Sequence, residues 1–255
     1  ITWQTDGQEY TKSCPPGQTL EQLKPSLING QMPIVGAIVN NLLKDLRYPL
    51  FCSSDIEWLH ADSPMGSRIL QNSLALLLSA AAAELFPNHQ LNIMHSLRFG
   101  RFCRLTEDVP SRPLAASDIA RLEDRMHELA QANLPITKDV INKNESIGYF
   151  KACGDFAKAQ TLYKVPDKQA TLYSIGKHTR QMFSKLVPST GYLDNFSLAH
   201  FDDGFILTDH YNTPEELRGS QQLAYPKSLN ATLDNYSKWS SMQNINYCCD
   251  LNRFV

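Results

Sequence analysis

Arg98, Arg101 and Arg104 alternate with Phe99 and Phe102. Guanidinium groups interleaved with aromatic rings can hold phosphates and stack on bases, so this stretch could form a surface for RNA. The same spacing on paired strands also gives a sheet with inward aromatics and outward charges. A second basic group follows at Lys177, His178, Arg180 and Lys185. If both groups reach one pocket mouth, charge-assisted contacts make an anionic ligand the expected occupant. His200, Asp202, Asp203, Asp209 and His210 are metal-type side chains, but Asp202-Asp203-Gly204 is a turn signal and predicts a solvated hairpin tip. His95 and Cys103 fall on adjacent predicted strands and read as a packed pair. Gly176-Lys177 lacks the upstream Gly of a phosphate loop, so it predicts a hairpin turn and no P-loop phosphoryl transfer by this chain.

With 255 residues, the chain has room for one large or two ordinary domains. Its 42% hydrophobic and 20% charged content is ordinary for a globular protein. A net charge of −2 gives no bulk attraction to nucleic acid, so any such binding has to be local. The six cysteines form no Cys-x-x-Cys pair, and adjacent Cys248-Cys249 suits a disulfide poorly. Reduced thiols and a cytoplasmic location are expected. No apolar run reaches membrane-spanning length and no signal peptide opens the chain. The start at Ile1, directly in a strand-like pattern, suggests a trimmed chain or one with disordered residues removed.

These residues need elements to position them. Ile1-Thr2-Trp3 and Glu9-Tyr10-Thr11 flank Asp6-Gly7 as a hairpin. Thr19–Leu23 starts a short helix, Pro33–Asn40 reads as a buried strand, Asn41–Leu46 turns back, and Asp55–Leu59 closes the sheet. His60–Pro64 is a linker, and Pro64 opens a long helix to about Leu85. Two strands follow within Leu91–Leu105. Ser117 is a predicted N-cap, with Asp118 in the first turn of a helix that ends before Pro135. Leu134–Ile141 is a strand, and Asn144–Phe150 and Asp155–Leu162 are short helices. Thr171–Ile175, Tyr192–Phe201 and Gly204–Tyr211 are strands. Residues 212–230 read as a loop, and a last helix runs from Asn230 to about Leu251.

Met182 to Gly191, Met-Phe-Ser-Lys-Leu-Val-Pro-Ser-Thr-Gly, resembles the metal-site loop in the second domain of threonyl-tRNA synthetases, Cys-Arg-Gly-Pro-His-Val-Pro. The family's His-x-x-x-His lies on a long helix ending near Leu-Phe-Pro, matched here by Leu85-Phe86-Pro87. The resemblance places the four ligand positions at Asn72, Leu76, Met182 and Leu186, none of which carries a zinc ligand. Lys158 falls where the family has Tyr-Lys-Val, and a surface role is its simpler reading. Residues 1–61 resemble the TGS domain, a β-grasp fold. The whole chain also resembles the N-terminal half of bacterial uridine kinase-like or phosphoribulokinase-like nucleoside kinases. His95-Ser96-Leu97, Thr171-Leu172-Tyr173, Val187-Pro188-Ser189-Thr190-Gly191-Tyr192-Leu193 and Tyr236-Ser237-Lys238-Trp239 carry that match.

The fold expected is α+β: a TGS-like β-grasp domain over 1–61, a synthetase editing-like α+β domain without metal ligands over 62–230, and a helix over 231–255 leading towards a kinase domain outside this chain. The resemblances imply a non-catalytic regulatory module that binds RNA or a nucleotide, with Arg98, Arg101, Lys158, Arg180 and Lys185 as candidate contacts. They imply no cofactor here, ATP and Mg belonging to the kinase domain. That domain and a second copy of the chain are the other expected partners. The alternatives are a metal-independent tRNA deacylase using Lys158 and ordered water, and a structural dimerisation module.

Overall fold

Strands β1 (Thr2–Thr5) and β2 (Gln8–Thr11) pair antiparallel with Thr5 opposite Gln8, as the hairpin signal predicts. The computed structural model describes residues 1–5, 8–25, 32–97, 100–107, 115–215, 227–245 and 250. The turn residues Asp6-Gly7 lie outside these. Helix α1 (Leu20–Leu23) starts with a capping box: Thr19 Oγ1 accepts the Gln22 N–H, and the Gln22 side chain accepts the Thr19 N–H. Strands β3 (Ile34–Val39), β4 (Leu42–Lys44) and β5 (Asp55–His60) complete a sheet of order β2-β1-β5-β3-β4. Only its β1–β5 pair is parallel. Leu20, Leu23, Ile34, Val39, Leu46, Ile56 and Trp58 fill the space between sheet and helix, the β-grasp arrangement.

Helix α2 (Pro64–Leu85) is capped by Ser63, whose Oγ accepts the Gly66 N–H at 3.1 Å, with Pro64 in the first turn. Residue 66 must be glycine, because a Cβ there would sit 1.9 Å from the His60 carbonyl oxygen. Ile69, Leu70 and Leu74 to Ala82 are buried, so nearly all faces of this helix lie in the core. Against it pack α3 (Ala116–Gln131) and a four-stranded sheet of order β11-β12-β7-β6. The strands are β6 (His89–Leu97), β7 (Gly100–Glu107), β11 (Phe196–Phe201) and β12 (Gly204–Asp209).

Helix α3 starts at Ala116, not after Ser117. Its N-cap is Ala115, which offers no side-chain acceptor. Asp118 instead reaches back to accept the Ala115 N–H at 3.1 Å, and this bond fixes the start ahead of Ser117. β11 begins at Phe196, later than expected, because Thr190–Tyr192 winds into a 3-10 turn. The Asp202-Asp203 tip of the β11–β12 hairpin is exposed, with Asp202 at a φ of 53° and Asp203 accepting from Arg104 Nε at 2.7 Å.

By contact density the chain forms two units, Ile1–Thr137 with Tyr173–Gln222, and Lys138–Leu172 with Leu223–Val255. β8 (Ile136–Asn142) and β9 (Gln169–Ile175) are the strands along which the chain leaves the first unit and returns. The second unit holds α4 (Lys143–Ala152) and α5 (Phe156–Lys164), packed through Ile147, Phe150, Ala159 and Leu162. It also holds α6 (Lys227–Met242). α6 starts three residues before the predicted Asn230 and stops well before Leu251. The stop comes where Asn244 turns left-handed (φ 57°) and the Ile245 N–H bonds back to the Ser240 carbonyl at 2.9 Å. Among the described residues, no helix is long and apolar enough to cross a membrane.

Candidate anion-binding cleft

Two serines of α2 set its register against the chain returning through β10 (His178–Gln181) and the loop after it. Ser73 Oγ donates to the Ile69 carbonyl at 2.8 Å and accepts the Val187 N–H at 3.0 Å, all of it buried. Six residues on, Ser79 Oγ lies 2.7 Å from His178 Nε2 and accepts Arg180 Nε at 2.9 Å. The helix and the returning segment therefore run antiparallel, with Asn72 and Leu76 set against Gln181–Leu186. Leu76 and Leu186 are fully buried in the same core. Asn72 and Met182 are half-buried and line an open cleft of about 560 Å³.

Leu43, Met65, Arg68, Ile69, Gln181, Phe183, Ser184 and Lys185 complete the cleft. Among the described residues, its charged members are both cations, and it contains no carboxylate, imidazole or thiol. Phe183 is 81% exposed at the rim. Arg68 is exposed and, among the described residues, has no ion-pair partner. The four positions aligned with metal ligands present a carboxamide, a thioether and two buried isobutyl groups. That donor set does not fit zinc, which takes thiolate, imidazole or carboxylate. Among the described residues no group of three or more His, Cys, Asp or Glu could hold a metal ion.

Arg101 lies beneath the cleft. Alternation along β7 puts Arg101 and Cys103 on the side of the sheet that faces α2, and Phe102 and Arg104 on the other side. Arg101 is therefore half-buried, and burial lowers the pKa of its guanidinium. Its Nη2 donates to Asn72 Oδ1 at 3.0 Å. Its Nε is buried and has no hydrogen-bond partner among the described residues. Arg101 also lines a cavity with room for about one water, together with Gln71, Leu74, Gly100, Leu207 and Asp209. Cys103 is fully buried, and loss of solvation pushes its thiol up to about 12. His95 packs its ring 5.4 Å from that of Phe102 and is not opposite Cys103, whose cross-strand neighbour is Ile93.

The structure does not gather all the candidate contacts read from sequence. Lys185 lines the cleft, and Arg101 supports Asn72 from below. Arg180 is engaged by Ser79. Lys158 belongs to the second unit, where its Nζ sits 5.2 Å over the Phe150 ring. Arg98 lies outside the described residues. Among the described residues, the side of α2 that faces β7 shows the one-water cavity. The open cleft is on the β10-loop side of α2. Arg68 was missed, although a signal existed: it stands four residues before Asn72, hence on the same face of α2.

Tyr192 joins the two cores of the first unit. Lys24 Nζ donates to its hydroxyl, which donates to Glu21 Oε1 at 2.9 Å. Burial first, and then Glu21, raise its pKa.

No known protein-family model matches the chain. It is 32% identical over 179 residues to a threonine–tRNA ligase of Nitrosomonas eutropha, a match covering 70% of this chain and 27% of that protein. It is 30% identical over 172 residues to the threonine–tRNA ligase of Rickettsia akari, covering 67% of this chain and 25% of that one. The enzyme of Polaromonas naphthalenivorans gives 30% over 179 residues. The chain thus spans about a quarter of the length of the relatives it matches. Over that span it is a threonyl-tRNA-synthetase-like α+β protein, its β-grasp sheet followed by an editing-like layer of helices and sheet.

Proposed function

We propose that this chain is an RNA-binding, editing-like module that seats an RNA terminus in the Asn72–Met182 cleft without a metal ion and without chemistry of its own. One observation carries the reading: the cleft offers two cations, three uncharged polar side chains and an exposed phenyl ring, but no group able to act as general base or acid near neutral pH. Arg68 and Lys185 suit phosphates, and Phe183 offers a stacking surface that accepts any base. The similarity to threonine–tRNA ligases supports an RNA-related role. The second reading, a metal-independent tRNA deacylase, draws on the same similarity. It is opposed by the lining, which would leave an attacking water without a side-chain base. A regulatory place beside a nucleoside kinase domain rests on the sequence resemblance alone, carried by strings such as His95–Leu97, Thr171–Tyr173, Val187–Leu193 and Tyr236–Trp239.

Titration of a short single-stranded RNA, followed by anisotropy at two salt concentrations, tests the proposal. Affinity should fall with salt as expected for a few phosphate contacts. Arg68→Ala and Lys185→Ala should each weaken binding about five- to tenfold, with no effect of chelator. Binding that is indifferent to both substitutions contradicts the proposal. Multiple-turnover release of an amino acid from aminoacyl-RNA, abolished by Lys158→Ala, would favour the deacylase instead.

A further inference from the structure

We infer that the cleft selects a phosphorylated RNA terminus and excludes one that carries an aminoacyl group. This rests on the cleft being an RNA-terminus site, as proposed above. An aminoacyl ester ends in an α-ammonium, and a site for it needs acceptors or a carboxylate. A phosphate needs donors and positive charge. The floor of the cleft is built for the second.

Arginine has donors and no acceptor, so the Asn72 atom facing Arg101 Nη2 has to be the carboxamide oxygen. That bond fixes the amide orientation and leaves the NH₂ group of Asn72, a residue that lines the cleft, as a donor. The guanidinium behind it stays protonated at any ordinary pH. Arg68 on α2 and Lys185 on the facing loop add two more positive charges to the lining. Asp209, which shares the small cavity beside Arg101, is not among the residues that line the cleft. It is engaged by the Tyr211 N–H at 2.9 Å and the Asn212 amide at 2.6 Å. Among the described residues, none that lines the cleft carries a negative charge. An ammonium placed here would meet three cations and a fixed amide donor, whereas a terminal phosphate would meet complementary partners throughout. A half-buried cation held against the Asn72 amide adds its charge behind the cleft, and the arrangement favours anions.

The test uses one 5′-labelled RNA with four 3′ ends: phosphate, hydroxyl, an amide-linked threonyl group, and the same group N-acetylated. The phosphate end should bind at least tenfold more tightly than the free threonyl end. N-acetylation, which removes the ammonium while keeping the bulk, should recover most of the difference from the hydroxyl end. Asn72→Asp puts a carboxylate against Arg101 and should reduce the phosphate preference to threefold or less. Arg101→Met should do the same, and thermal denaturation of both variants shows whether they fold. Equal affinity for all four ends, still sensitive to Arg68→Ala and Lys185→Ala, overturns this inference and leaves RNA binding in place. Affinity insensitive to those two substitutions overturns the inference together with the reading beneath it.

Discussion

Restoring four ligand types at once, Asn72→His, Leu76→His, Met182→Cys and Leu186→His, should turn the protein into a stoichiometric zinc binder. Asn72 and Leu76 are one turn apart on α2, and the Ser73–Val187 and Ser79–Arg180 contacts hold the other two positions opposite them. The metal-free variant should be much less stable than the parent. Replacing two fully buried leucines by imidazoles costs about 4 kcal/mol or more in lost packing and desolvation. Zinc should restore it, because binding at a structural zinc site, about 10–16 kcal/mol, appears as folding energy. The readouts are zinc content after gel filtration and a melting temperature that rises with added zinc. A folded variant that takes up no zinc would show that the four positions do not converge, and would remove the basis for calling the pocket a former metal site.

Alkaline pH should destabilise the protein through two buried groups. Cys103 and Tyr173 are almost fully buried. Loss of solvation pushes each up to about 12, the Cys103 thiol from an ordinary value of 9.0 and the Tyr173 hydroxyl from 10.0. Asp45 adds to the Tyr173 shift and Arg47 opposes it. Between the unfolded and folded values the unfolded chain has lost the proton and the folded chain keeps it. Unfolding then releases protons, and stability falls as pH rises. The stabilisation is fully present below pH 9 and is lost between about 9 and 12. Each group contributes a slope of about 1.4 kcal/mol per pH unit, so Cys103 alone accounts for about 4 kcal/mol across its window. Cys103→Ala should therefore lower stability at pH 7 and flatten the fall above pH 9. Denaturant midpoints measured from pH 7 to 11 check this. An unchanged alkaline slope in Cys103→Ala would show that the thiol ionises freely in the folded state.

Most of the fold was legible because its signals are local. Ser63-Pro64 fixes the start of α2, and Asp6-Gly7 announces the first hairpin. Asp202-Asp203-Gly204 marks another. The start of α3 was missed because its cap works backwards, from Asp118 to a backbone N–H, and Ala115 carries no signal of its own. The Val187–Leu193 string was conspicuous in sequence, and its role is structural. The Thr190 N–H bonds to the Leu134 carbonyl, and its hydroxyl links the Leu134 N–H to the Leu129 carbonyl. Gly191 lies so close to Asn133 that a Cβ would come within 2.4 Å of its side-chain oxygen. The cleft was only partly legible. Its polar wall depends on which side of β7 Arg101 takes, and on a hydrogen bond to a residue far away in the chain. The alternation of arginines and phenylalanines suggested that every arginine faced solvent. The strand pairing instead turns Arg101 towards the helix.

On the proposed function, an RNA terminus sits between α2 and the Gln181–Lys185 loop without a metal. Photo-crosslinking of a short RNA carrying a 4-thiouridine at its 3′ end, in the presence of chelator, tests it most directly. The crosslink should map to Phe183 or its neighbours Met182 and Ser184, or to Met65 and Arg68 on the opposite wall, and should weaken in Lys185→Ala. A crosslink confined to other parts of the chain, or one that forms only when zinc is added, would contradict it.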